Sequence, residues 1–147
     1  MSSDRPVLYV AEPSASYLVR TPLVVDCSVL VAVLFEEETY EHAVELISGK
    51  NLFAPSLLAH EIVNVALKKR RLGFAVDDIV QAFYDYANYE IELRQTESLA
   101  QYELAQRYNL SAYDAAYLWL AAELKAPLAT FDKKLADAAK SHLAGLA

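Results

Sequence analysis

Short continuous runs of apolar residues alternate along this chain with stretches whose apolar positions recur at helical spacing. Leu23, Val24 and Val25 form the first core run and lead directly into Asp26 and Ser28, as a buried strand delivering an acid at its carboxyl end would. Ser28 to Glu37 then predicts a helix with Leu30, Val33 and Leu34 on one side. Thr39 can cap a second helix through Ala43, Val44, Leu46 and Ile47, stopped at Gly49; His42 completes no capping box and reads as an exposed helix residue. Leu52 to Ala54 predicts a short strand, and Pro55 with Ser56 opens a helix from Leu57 to Leu72 that Gly73 ends. Val76 to Tyr89 is helical by the spacing of Ile79, Val80, Phe83, Tyr84 and Ala87, an aromatic stripe suited to core or a dimer surface rather than base stacking. Glu90 to Arg94 alternates like a strand, and Ser98 to Tyr108 is helical. Ser111 caps a strongly apolar helix over Ala112 to Lys125, Pro127 begins a strand through Phe131, and Asp132 opens a last helix to about His142.

Strands alternating with helices predict an α/β fold, a three-layer sandwich with a mainly parallel central sheet flanked by helices. Residues 1 to 22 break the pattern. Pro6, Pro13, Pro22, Ser14 and Ser16 interrupt short apolar pieces at Val7 to Val10 and Tyr17 to Val19. These residues read as an N-terminal extension, with material for one strand, that packs on the outside or onto a partner. The rest, 23 to 147, is expected to form one domain, as a chain of 147 residues suggests.

With 55% hydrophobic residues, 3 Gly and 5 Pro, the composition is that of a folded globular protein. The polar start from Met1 to Pro6 has no apolar segment behind it, and no apolar run is long enough to cross a bilayer, so no membrane association and a cytoplasmic location are expected. Cys27 is the lone cysteine and reads as a small buried apolar residue rather than a nucleophile. A net charge of -7 argues against a general polyanion binder, although a nucleic-acid enzyme whose cation is a bound metal remains compatible with it. Lys68, Lys69, Arg70 and Arg71 form the dense basic cluster, and Lys133 and Lys134 a smaller one. Both suit either helix-end cations or RNA contacts. Glu36, Glu37 and Glu38 read as a solvated acidic patch.

Four acids stand out by topology. Asp26 and Asp132 follow strands and could be helix N-caps, Asp114 stands at capping-box spacing from Ser111, and Glu61 could be an ordinary surface residue. In right-handed β-α-β units, however, strand carboxyl ends and helix amino ends collect on one edge of the sheet, and all four acids belong to that edge. No cation stands within helical reach of Glu61 or Asp114 on its own helix. Carboxylates gathered beside a core without basic partners raise one another's pKa unless a cation neutralises them. An oxygen-only donor set favours Mg²⁺ or Mn²⁺ over Zn²⁺. Such a site suits in-line hydrolysis of a phosphodiester without a covalent nucleophile.

At these residues the chain resembles the PIN-domain family, and within it the VapC-type endoribonuclease toxins of bacterial toxin-antitoxin pairs. The matching pieces are Val24 to Leu30, His60 to Leu67, Ser111 to Leu118 and Ala129 to Leu135, in a stretch from about Leu23 to the C-terminus. The resemblance implies a PIN-like fold, an acidic Mg²⁺ site cleaving single-stranded or looped RNA, a homodimer, and inhibition by a small antitoxin protein. It gives the metal-site roles to Asp26, Glu61, Asp114 and Asp132, with Asp26 and Asp114 as the first candidates for direct ligands. Ser28 and Thr130 become hydroxyls that orient a carboxylate or a water, and Asn64 a residue of the same rim. The N-terminal extension departs from the family's pattern. Competing readings are a HAD-like phosphatase or receiver domain, against which Ser28 stands where a second Asp is wanted, and a non-catalytic PIN-like module that binds protein or RNA.

Overall fold

The structure is a computed structural model that describes residues 7–11 and 20–146. The elements run β1 (Tyr9–Ala11), β2 (Pro22–Val25), α1 (Cys27–Leu34), α2 (Tyr40–Ile47), β3 (Asn51–Pro55), α3 (Leu58–Arg71), α4 (Val76–Asn88), β4 (Glu92–Arg94), α5 (Ser98–Tyr108), α6 (Ala112–Leu124), β5 (Leu128–Thr130) and α7 (Lys133–Ala144). The strands form one sheet in the order β1-β5-β2-β3-β4. β2 pairs in parallel with β3 and β5, β3 with β4, and only β1 runs antiparallel, with Tyr9 opposite Thr130. The expected α/β sandwich with a mainly parallel sheet is the observed one.

The run Leu23-Val24-Val25 is continuous because β2 is covered on both faces, as central parallel strands are. One helical layer is α1 with α2, α3 and α4 packed around it; the other is α6 between α5 and α7, resting on β2, β3 and β5. The chain moves from β2 to β3 and β4, then returns across the sheet to β5. The helices that follow β2 and β5 therefore leave toward opposite faces, and a crevice opens between the carboxyl ends of these neighbouring strands, the switch point where open α/β sheets bind ligands.

Several boundaries differ from expectation. α1 stops at Leu34 instead of running to Glu37, because Phe35 leaves helical geometry and Glu36 adopts φ 46. α6 ends at Leu124, since Lys125 turns left-handed. β5 covers Leu128–Thr130 rather than Pro127 to Phe131, and α7 extends to Ala144. The stripe on α4 is not core: Ala82 is its buried residue, while Val80, Phe83 and Tyr84 are exposed. At the N-terminus, Tyr9–Ala11 joins the sheet as an edge strand, whereas Tyr17 to Val19 lies outside the described residues. His42 is exposed and Cys27 buried, as expected. Among the described residues no helix is long and apolar enough to cross a membrane.

Candidate active site

Asp26 ends β2 at the N-cap position of α1, yet its side chain makes no cap bond. Its Oδ2 instead accepts from the Ser28 hydroxyl at 2.8 Å and the Thr130 hydroxyl at 2.7 Å. Each hydroxyl in turn accepts a backbone N–H of the β5–α7 turn, Ser28 from Phe131 and Thr130 from Asp132, both at 3.0 Å. A hydroxyl has one proton, so accepting these N–H groups commits that proton to Asp26. The Asp26 N–H also donates to the Ala129 carbonyl at 2.9 Å. Asp26 is thus fixed at the crevice by both strands that form it, and the cap reading fails for this residue.

The other acids approach from helix starts. The Asp132 Oδ1 accepts from the Leu135 N–H at 2.8 Å, so this residue does cap α7 while standing exposed at the crevice mouth. The Asp114 N–H donates to the Ser111 hydroxyl at 3.1 Å, placing its half-buried carboxyl in the first turn of α6. Glu61 projects from the first turn of α3 and its Oε1 accepts from the Tyr117 hydroxyl at 2.7 Å. Tyr117 is fully buried. Sequence reasoning gives it no role, although a hydroxyl in an apolar helix, three residues beyond Asp114 and so on its face, is the signal that points to it.

Electrostatics bind the four acids into one unit. Burial pushes the Asp26 carboxyl up from the usual range against the pull of the two hydroxyls and the Cys27 N–H, and Asp132 adds to the rise. Glu61 is raised by burial and by Asp26 and Asp114, despite the Tyr117 bond. Asp114 is pushed up to about 6 by burial, Asp26 and Asp132, with Ser111 and Lys134 opposing. Sequence spacing on α6 offered Asp114 no cation; Lys134 reaches it from α7. Cys27 is held as a thiol by burial and by the charges of Glu61, Asp26 and Glu37, which removes it as a nucleophile.

Among the described residues, no three His, Cys, Asp or Glu side chains converge closely enough to cage a metal ion. Carboxylates with raised pKa values, all oxygen donors, fit a hard cation such as Mg²⁺ better than Zn²⁺.

The remaining candidates separate. Asn64 is exposed one turn beyond Glu61. Lys69 pairs with Glu37 at 3.4 Å and lies against Phe35 and Phe74, and Arg70 donates to the Phe74 carbonyl at 3.3 Å, so these two secure the end of α3. Lys68 and Arg71 are exposed on the same turn. Lys133 pairs with Asp137 at 3.3 Å in an exposed i,i+4 contact, leaving Lys134 beside the acids.

Tyr117→Phe is expected to free the Glu61 carboxyl from its hydroxyl donor. The Glu61 carboxyl should rise further on losing its donor, a shift readable by carboxyl NMR.

Comparison with known proteins accords with this geometry. Residues 23–141 match the PIN domain. The chain is 30% identical over 121 residues to Ribonuclease VapC3 of Pyrobaculum aerophilum, covering 78% of this chain and 92% of that protein. The crystal structure of PAE2754, also from Pyrobaculum aerophilum, superposes with a TM-score of 0.64 at 23% identity over 86% of this chain and 95% of that one. The match spans both strands of the crevice and all four acids, and the chain belongs to the PIN-domain family, on its VapC-type branch.

Proposed function

We propose that this protein is a Mg²⁺-dependent endoribonuclease, with Mn²⁺ as an alternative ion, acting as the toxin of a type II toxin-antitoxin pair. The observation that carries the reading is Asp26, buried at the switch point, denied a capping role and held by two committed hydroxyls beside three further acids. Its relative Ribonuclease VapC3 is a ribonuclease by name, which supports the same activity here.

Asp26, Glu61, Asp114 and Asp132 are the residues that would hold the ion, Asp26 and Asp114 first among them. When bound, Mg²⁺ supplies an activated water and neutralises the charge that develops on the phosphodiester. Ser28 and Thr130 keep Asp26 from rotating, and Tyr117 does the same for Glu61. Asp132 is fixed by its cap bond, so the acidic rim enters the reaction already oriented. Lys134, whose charge already acts on Asp114, is the cation for a non-bridging phosphate oxygen of the substrate in this reading.

The exposed apolar residues shared by α3 and α4, among them Val63, Leu67, Val80 and Phe83, support a homodimer. A small antitoxin protein as inhibitor and a cytoplasmic location complete the reading. Assay of a structured RNA pool with and without Mg²⁺ tests it. RNA contact by the basic turn is tested separately: Lys68→Gln with Arg71→Gln should weaken RNA binding and flatten its salt dependence, by roughly 0.7 to 0.9 in log-log slope per lost phosphate contact. An unchanged slope would confine that turn to the helix end.

A further inference from the structure

Beside the acidic crevice lies a second concavity of about 410 Å³, within the range of small-ligand sites. Cys27, Val31, Val65 and Phe131 make its apolar wall, and Glu37, Glu38 and Thr39 its polar end. Ser28 lines it as well, and the Ser28 hydroxyl donates to Asp26, so the concavity adjoins the candidate catalytic site.

The polar end is held in place. The Glu37 N–H donates to the Ala32 carbonyl at 3.0 Å, and the Glu37 carbonyl accepts from the Tyr40 N–H at 2.9 Å. The Lys69 ammonium lies 3.4 Å from the Glu37 carboxylate and is itself 5.5 Å and 5.1 Å from the ring centroids of Phe35 and Phe74. A carboxylate anchored in this way loses little freedom when it meets a ligand. Thr39 occupies the N-cap of α2, yet its hydroxyl makes no cap bond. An N-cap threonine ordinarily spends that oxygen on the helix, so this one is left for another partner.

We propose that this concavity binds a guanine base flanking the scissile phosphodiester, making Glu37 and Thr39 specificity-determining residues of the ribonuclease; the inference rests on the activity proposed above. The apolar lining with Phe131 suits a flat base splayed out of a single strand, and the Glu37 carboxylate, held by Lys69, offers it acceptor oxygens. A carboxylate only accepts hydrogen bonds. Guanine presents it with two adjacent donors, N1–H and the 2-amino group, followed by O6, which accepts from a hydroxyl such as that of Thr39. Adenine and cytosine set their amino group beside a ring nitrogen that accepts. Uracil places its N3–H between two carbonyls, which a carboxylate repels.

The test maps cleavage sites of the full chain with Mg²⁺ on an RNA pool, then varies the flanking base through guanine, inosine, adenine, cytosine and uracil. Inosine removes the 2-amino group alone. Guanine is expected at one fixed position beside the cut, with inosine slowing cleavage about ten-fold. Glu37→Gln should bring the guanine to inosine ratio near unity. Thr39→Val, which disturbs no ion pair, should narrow the preference for guanine over adenine and covers the case in which Glu37→Gln fails to fold. Fluorescence anisotropy of the same oligonucleotides on Asp114→Asn reads the base pocket without turnover, and the same guanine preference is expected. Metal-dependent cleavage with no base preference, or with one that neither variant alters, overturns the inference and leaves the ribonuclease standing. Guanine-selective binding without any cleavage by the wild type supports the pocket and overturns the ribonuclease; the absence of both overturns both.

Discussion

Asp26→Asn is expected to abolish metal-dependent RNA cleavage, with a loss on the order of 10³-fold, the scale of removing a principal charge-organising group from an active site. The substitution keeps the volume and leaves an oxygen that can still accept from Ser28 and Thr130, so the crevice should remain assembled. What it removes is a negative charge that is largely buried and lies beside three other acids. The metal-free protein should therefore melt higher than wild type, because like-charge repulsion and the desolvation of a carboxylate are both relieved. Asp114 should titrate below its wild-type value of about 6, since Asp26 is one of the charges that raises it. Loss of activity together with a raised melting temperature separates this site role from simple damage to the core. Normal cleavage by the variant would remove Asp26 from the site.

The second large effect is expected from the metal itself. An ion that binds the folded chain and not the unfolded one at 100-fold its Kd stabilises it by about 2.7 kcal/mol, on the order of 10 °C in Tm for a domain of this size. The gain should depend on pH. Asp26, Glu61 and Asp114 all have carboxyl pKa values raised in the folded state. For such groups folding is unpenalised below the unfolded pKa and loses stability as pH rises through the folded one. For Asp114 that window runs from 3.8 to about 6. The metal-free protein should thus lose the contribution of these acids as pH climbs through this window, and Mg²⁺ should restore it above pH 6, where the carboxylates are charged. Melting curves across pH 4 to 8, with and without Mg²⁺, check both signs. A Tm that Mg²⁺ leaves unmoved at pH 7 would argue that the acids hold no metal ion.

Much of the fold was legible because its rules are local or topological. The run before Asp26 marked the central strand, and glycines or caps marked most helix ends. Boundaries slipped where a non-glycine residue took left-handed geometry, at Glu36 and Lys125, which spacing of apolar residues does not reveal. The aromatic stripe of α4 is exposed, which sets aside the core alternative and leaves the dimer-surface one, since helical periodicity identifies an apolar face and says nothing of what covers it.

The acids themselves were found by reasoning about sheet edges, and their convergence is electrostatic as well as topological. The supporting contacts were less accessible. Thr130 and Ser28 could be suspected from their nearness to strand ends, but their shared acceptor on Asp26 joins residues about a hundred positions apart. Tyr117 reaches Glu61 across 56 positions, and the charge of Lys134 acts on Asp114 from a different helix. Neither relation has a signature in local spacing. The basic cluster divides for a similar reason, since the partners that occupy Lys69 and Arg70 come from the turn after α1 and the loop after α3.

The most direct measurement is cleavage of a mixed pool of structured RNA by the purified full chain, with Mg²⁺, with Mn²⁺ and with chelator, beside Asp26→Asn prepared identically. Cutting by the wild type that requires the ion and disappears in the variant is the expected result. Cutting that persists in chelator, or equally in the variant, would contradict a metal-dependent ribonuclease centred on Asp26.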